Sequence, residues 1–138
     1  MIPRARRHAL LVVPLATVAL AVGAVGCGDS GKPAYCSDRS KLESDVKALP
    51  SAVTGGVSGL KVQLQTIQDD ANALVSSAKS DFPSESSAVQ SSVNALVDAV
   101  DALPSSPSTS QLATIAGDAT DVVTSVKRFS DATSSKCG

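Results

Sequence analysis

The sequence predicts an all-α protein, an up-down-up-down four-helix bundle with a short first helix, three long helices and a disulfide that closes its ends. Three observations support this prediction. Apolar residues recur at alternating spacings of four and three in three long stretches. Connections rich in Pro, Gly and Ser separate those stretches. Two cysteines, Cys36 and Cys137, flank the whole pattern.

Residues 1–26 are predicted to be an export signal and not part of the fold. Three arginines within the first seven residues precede an apolar run over residues 9–25. That run ends at Ala24-Val25-Gly26-Cys27, where small residues precede a cysteine. We therefore predict cleavage before Cys27 and attachment of a diacylglyceryl lipid, with palmitate, to its thiol.

Two alternatives to the lipoprotein signal are an ordinary cleaved signal and an uncleaved membrane anchor. The anchor is disfavoured because the 17 residues of the run are at the short end of the roughly 17–25 that cross a bilayer. Pro14 and Gly23 also interrupt it. Arg6-Arg7 followed by Leu10 matches a twin-arginine signal in part, so the general and twin-arginine export routes both stay open.

These boundaries divide the chain into three parts: a signal over 1–26, a lipid tether over 27–35 and a helical bundle domain over 36–138. The expected location is the outer face of the cytoplasmic membrane or the cell surface, with the membrane reached through the lipid. Residues 27–138 hold 9 Lys and Arg against 13 Asp and Glu, a net charge of −4. This balance argues against nucleic acid as a partner and against electrostatic adhesion to anionic lipids.

The cysteine pair that remains after Cys27 is expected to form a disulfide, because exported cysteines oxidise. Unpaired thiols or a bridge between two chains are the alternatives. A bridge within one chain decides the number of helices. Three helices of about 20 residues would leave the chain ends roughly 30 Å apart, whereas a disulfide needs Cα atoms within about 7 Å. We therefore expect a separate short helix over 38–49, followed by a loose segment over 50–59.

The helices themselves are read from their apolar stripes. The stripe of the short helix follows Ser37, a residue suited to the N-cap, and those of the long helices follow in chain order. Their members are Leu42, Val46 and Leu49; then Leu60, Leu64, Ile67, Ala71, Leu74 and Ala78; then Val89, Val93, Leu96, Val100 and Leu103; then Leu112, Ile115, Ala119, Val122, Val126 and Phe129.

Four features of the sequence occur together. They are a lipobox-like Ala24-Val25-Gly26-Cys27, the pair Cys36-Ser37, helices rich in Ala, Val, Leu, Ser and Asp such as residues 93–100, and a cysteine near the end of the sequence. The chain thereby resembles small exported helical lipoproteins of actinobacteria. The shared motifs are compositional and not catalytic. The resemblance therefore carries over no functional residue.

Candidate catalytic and metal-binding groups are few in residues 27–138. The absence of His there excludes His-based triads and the Glu-x-x-His sites of di-iron bundles. Ser58 lies in a glycine-containing stretch, but Leu60 stands where a nucleophile elbow needs glycine, so a loop or an N-cap is the favoured interpretation. The acidic pairs, Asp69 with Asp70, Asp98 with Asp101 and Asp118 with Asp121, are expected to lie on solvated helix faces.

The predicted function is therefore contact with a protein or envelope partner, with no catalysis and no cofactor. The candidate contact residues lie in two connections, because exposed loops on a rigid scaffold are frequent binding sites. They are Pro50, Thr54, Gly55 and Gly56 in the first connection and Pro104, Ser105, Ser106 and Pro107 in the second.

The alternative function is a carrier of a small apolar ligand or lipid. It would need a cavity inside the bundle, lined by residues such as Leu64, Leu96 and Val122. Phe82 and Phe129 are expected in the core. Tyr35 suits either the core below the disulfide or the membrane interface.

Overall fold

The computed structural model describes residues 31–138, so the predicted signal and Cys27 lie outside the described part of the chain. The described part is all-helical and has no strand. Its helices are α1 (Ala34–Lys47), α2 (Leu49–Thr54), α3 (Val57–Ala78), α4 (Pro83–Asp101) and α5 (Thr109–Cys137). Within residues 31–138, no helix combines the length and the apolar character that a membrane crossing requires.

The first helix begins earlier than predicted. Pro33 occupies its N-cap position, and Ala34 is already helical, so the prediction of Ser37 as the N-cap is wrong. The early start places Tyr35 and Cys36 inside the first turn, where both are buried. A proline immediately before a helix is tolerated because the N–H groups of a first turn have no partners within the helix.

The expected loose segment over 50–59 is mostly helical. Pro50 stands in the first turn of α2, a position where proline fits a helix. Only Gly55 and Gly56 separate α2 from α3, and Gly56 has a φ of +102°, which residues with a Cβ rarely adopt. α1 already ends at Lys47, and Gly56 is the N-cap of α3, so the prediction that the first helix does not run on into the second is confirmed. Leu49, which was assigned to the first helix, lies in α2.

The long helices pack through their predicted stripes. α4 packs on both α3 and α5, while α1 packs on α3 and on α5, and α2 contacts α3 and α5. Most stripe residues are buried, but Leu112 is 37% exposed, and Leu103 and Ala119 are half-buried. Burying an aliphatic side chain stabilises a fold by about 1.5–3 kcal/mol relative to leaving it exposed, so these stripes carry much of the fold.

The predicted disulfide is present. Cys36 and Cys137 are bonded, with their Cα atoms 5.4 Å apart, and join the first turn of α1 to the last turn of α5. The three aromatic residues of the described chain surround this end. Tyr35 meets Phe82 and Phe129 edge-to-face at centroid distances of 5.5 and 6.4 Å, and those two rings are 5.9 Å apart. Tyr35 is only 2% exposed, which assigns it to the core.

Several hydroxyl groups lie inside the bundle. The Ser92 and Ser125 hydroxyl oxygens are 2.6 Å apart between α4 and α5. Thr133 donates to the carbonyl of Phe129 at 2.9 Å. Ser86, in the first turn of α4, is buried as well. These side chains are small enough to fit between closely packed helices.

Candidate contact surface

The two predicted contact connections lie at the same end of the molecule. Lys61 in the first turns of α3 forms an ion pair with Asp101 at the end of α4, with Nζ and Oδ1 3.8 Å apart. The Gly55-Gly56 connection directly precedes α3, and the connection over 102–108 directly follows α4. We refer to these two connections, together with the α2 residues Pro50 and Thr54, as the contact end.

The first part of the contact end is a helical turn and not a flexible loop. Pro50, Thr54, Gly55 and Gly56 are all exposed. Thr54 donates its hydroxyl to the carbonyl of Ser51 at 2.9 Å. The Gly55 N–H points at the carbonyls of Ser51 and Ala52. The backbone here is therefore held by local hydrogen bonds.

The second part is an irregular connection with a well-defined end. Pro104, Ser105 and Ser106 are exposed and Pro107 is half-buried. Ser108 then starts α5 with a capping box that was not predicted, although its Ser-x-x-Gln pattern is visible in the sequence.

Both halves of that capping box are present. The Ser108 N–H donates to Oε1 of Gln111 at 2.8 Å, and the Gln111 N–H donates to Oγ of Ser108 at 3.3 Å. Two N–H groups at the start of α5 are thereby satisfied by side chains. The capping box fixes where the connection ends and α5 begins.

A groove of about 260 Å3 lies between α3 and α4 beside the contact end. Its lining combines polar and apolar side chains and consists of Lys61, Leu64, Gln65, Gln68, Val97, Val100 and Asp101. The carrier hypothesis predicts a cavity lined by Leu64, Leu96 and Val122. Only Leu64 lines the groove, and Leu96 and Val122 are 0% exposed in the core. The groove differs in place and in polarity from the predicted apolar cavity.

The acidic pairs differ in how far their side chains are exposed to solvent. Asp98, Asp101 and Asp121 are exposed, as expected for solvated faces, and Asp118 is half-buried. Within the remaining pair, Asp69 is exposed and Asp70 is half-buried, so the expectation of solvated pairs is wrong at Asp70 and at Asp118. In the described part of the chain, no three His, Cys, Asp or Glu residues are grouped to hold a metal ion.

The environment of Asp70 shifts its protonation. Burial raises the pKa of Asp70 to about 6, and a hydrogen bond with the Asp45 side chain and the charge of Asp45 add to the effect. Lys41 lowers this pKa and Asp38 raises it. A carboxylic acid with such a pKa changes charge between mildly acidic and neutral pH. Sequence reasoning missed this contact because it depends on how two helices pair.

Two other predicted positions complete the comparison. Ser58 is an exposed residue in the first turn of α3, whose N-cap position is occupied by Gly56, so its interpretation as an N-cap is wrong. Cys27, the predicted lipid site, lies outside the described residues.

No protein-family model, curated protein or solved structure matches the chain.

Proposed function

We propose that this protein is a lipid-anchored protein of the cell envelope that binds a protein or envelope partner through the contact end and has no catalytic activity. The proposal rests mainly on the residues that precede Cys27, where a basic region, an apolar run and small residues lead to a cysteine. A lipid at Cys27 would hold the domain at the outer face of the membrane.

We further propose an up-down-up-down arrangement of α1, α3, α4 and α5. Cross-helix contacts support opposite directions for neighbouring helices, because early residues of one helix meet late residues of the next. The contacts are Asp38 with Ser77 and the Asp45 carbonyl with Gln63 between α1 and α3; Gln90 with Asn72 and Lys61 with Asp101 between α3 and α4; and Cys36 with Cys137 and Arg39 with Thr133 between α1 and α5.

This arrangement predicts how the domain is oriented on the membrane. Cys27 precedes Cys36 by nine residues, and such a tether spans at most about 30 Å. The end that holds the disulfide would therefore face the bilayer. The contact end, with α2 and the connection over 102–108, would point away from the membrane. Its exposed residues are then available to a partner.

The anchor is tested by mass spectrometry of the N-terminus and by detergent partitioning of the full chain. We expect a lipid-modified Cys27 at the mature N-terminus, and we expect Cys27→Ser to stay unprocessed or to leave the membrane fraction. An unmodified terminus cut at another position would refute the lipoprotein proposal. The bundle itself should fold normally in the variant, because its described helices begin at Ala34, after the substituted residue.

The contact end is tested by crosslinking in intact cells. One variant replaces the exposed residues Pro50, Thr54, Ser105 and Ser106 with other polar residues, and a matched control replaces exposed residues 79–81, which connect α3 and α4 at the disulfide end. We expect the first variant to lose its crosslinked partners and the control to keep them. Equal crosslinking by both variants would refute the role of the contact end.

Apolar adducts in native mass spectra of the protein would instead favour the carrier function.

A further inference from the structure

The connection over 102–108 is the longest between two helices in the described part of the chain. Pro104 and Pro107 keep it out of both neighbouring helices. Proline fixes φ, has no N–H and disfavours the helical conformation of the residue before it, which for Pro107 is Ser106. α4 accordingly ends before this stretch, and α5 begins after it. We call Ser105 and Ser106, which lie between the two prolines, the connection serines.

The connection serines are accessible in both side chain and backbone. Both are exposed, and the chain bends at both of them. Residues 104–107 make no hydrogen bond within the described part of the chain. A hydroxyl inside a helix often bonds instead to a carbonyl one turn earlier, as Thr120 does to Ala116 at 2.9 Å. The connection serines therefore present hydroxyls and backbone that a modifying enzyme can bind without first breaking a hydrogen bond.

The next serines along the chain are engaged at the start of α5. Oγ of Ser108 accepts from the Gln111 N–H at 3.3 Å and lies 3.1 Å from the hydroxyl oxygen of Ser110. A bulky group on Ser108 would displace the capping box that fixes the start of the helix. The structure thus separates the connection serines from other serines that composition alone would group with them.

The surroundings of the connection serines are uncharged. Residues 102–117 contain no Asp, Glu, Lys or Arg. Kinases select substrates in part through charge patterns, which this stretch lacks. Segments rich in Ser and Thr together with Pro are instead typical of O-glycosylation, and a sugar is a bulky, solubilising group that requires a surface position. These observations favour a neutral sugar over a phosphate.

We propose that the connection serines are acceptors for O-linked glycosylation with a neutral hexose. The serine hydroxyl oxygen forms a bond with the anomeric carbon of the sugar, and the bond between that carbon and the phosphate oxygen of an activated sugar-phosphate donor breaks. Its electron pair leaves with the phosphate, and the hydroxyl proton passes to a base of the transferase. The proposal rests on the export in the proposed function, and it adds a sugar to the surface of the contact end.

The test is mass spectrometry of the full chain purified from the membranes of the cells that produce it, with fragmentation that keeps sugars attached. We expect a mass increase in steps of one hexose residue, located on Ser105, on Ser106 or on both. Ser108 and Ser110 should be unmodified, because their hydroxyls are engaged at the start of α5. The same spectra report the lipid on Cys27.

Ser105→Ala with Ser106→Ala should abolish the hexose. Ser80→Ala is the matched control, because Ser80 is an exposed serine in the turn between α3 and α4, whose backbone is held by a hydrogen bond from the Phe82 N–H to the Ala78 carbonyl at 2.8 Å. The control should keep the full modification. Both variants should show unchanged helicity, since neither substitution removes a hydrogen bond from the described part of the chain.

Unmodified connection serines in a chain with a lipidated Cys27 would overturn the glycosylation and leave the anchor standing. Phosphate on the connection serines, a hexose at Ser108 or Ser110 instead, or an equal loss in Ser80→Ala would also overturn it. A hexose on the connection serines without lipid on Cys27 would support the glycosylation and refute the anchor. A chain with neither modification would overturn both.

Discussion

Removal of the disulfide by Cys36→Ser with Cys137→Ser should destabilise the protein strongly without unfolding it. The bond joins residues 101 positions apart. A loop of about that length gives an upper figure of roughly 4.7 kcal/mol in the chain-entropy model, and natural disulfides commonly contribute about 2–4 kcal/mol. For a domain of this size, such a loss corresponds to a fall of roughly 8–20 °C in Tm.

Helicity should survive this change because the three long helices keep their buried stripes. Core positions such as Ile67, Leu96 and Phe129 are 0% exposed and lie far apart in the sequence. Each such side chain contributes about 1.5–3 kcal/mol through its burial. α1 should suffer most, since the bond is what ties its first turn to α5.

The assay is thermal and urea unfolding followed by far-ultraviolet circular dichroism. The full chain is measured oxidised and after reduction in denaturant and refolding, beside the double variant. Reductant should lower the Tm of the unmodified protein and leave that of the variant unchanged. A double variant with the same Tm as the oxidised unmodified protein would refute the stabilisation that we attribute to the disulfide through its constraint on the unfolded chain. A helical signal lost at low temperature would refute the independent stability of the long helices.

Four further variants test local features. Ser108→Ala should cost about 1 kcal/mol in urea unfolding because it removes the capping box of α5. Gly117→Ala should stabilise by about 0.5–1 kcal/mol, since a Cβ there meets nothing within 4 Å, whereas Gly56→Ala should destabilise by about 1 kcal/mol or more at its φ of +102°. The free energy of unfolding of the unmodified protein should fall by roughly 1 kcal/mol as the pH rises from about 4 to above 6, because Asp70 has a raised pKa in the folded state and binds its proton more tightly there. Asp70→Asn should remove this loss. A stability that rises over the same pH range would contradict the raised pKa of Asp70.

The sequence predicted the helices well where the signal is local. The spacing of residues such as Leu64, Leu74 and Val93 depends only on helix periodicity, and these side chains are buried as expected. The short elements were harder to predict because a proline breaks a helix in its interior but is favourable in its first turn, where Pro50 lies in α2. The sequence alone does not distinguish these two positions.

The contact between Asp45 and Asp70 was out of reach of sequence reasoning for a different reason. It depends on the register in which α1 pairs with α3, and helical spacing within each chain segment does not fix that register. The same limit explains Leu112, which fits the stripe of α5 but is 37% exposed. The stripe shows which side of a helix is apolar. It does not show how far along the helix a neighbour covers it.

The clustering of Tyr35, Phe82 and Phe129 determines what optical measurements on the bundle can detect. The chain has no Trp and one Tyr, and that tyrosine is adjacent to the disulfide. Tyrosine emission and near-ultraviolet dichroism therefore report one end of the molecule, while far-ultraviolet dichroism averages over all helices. Unfolding curves that differ between the two kinds of signal would indicate that the two ends of the molecule unfold one after the other. Coincident curves would show that the bundle unfolds as one cooperative unit.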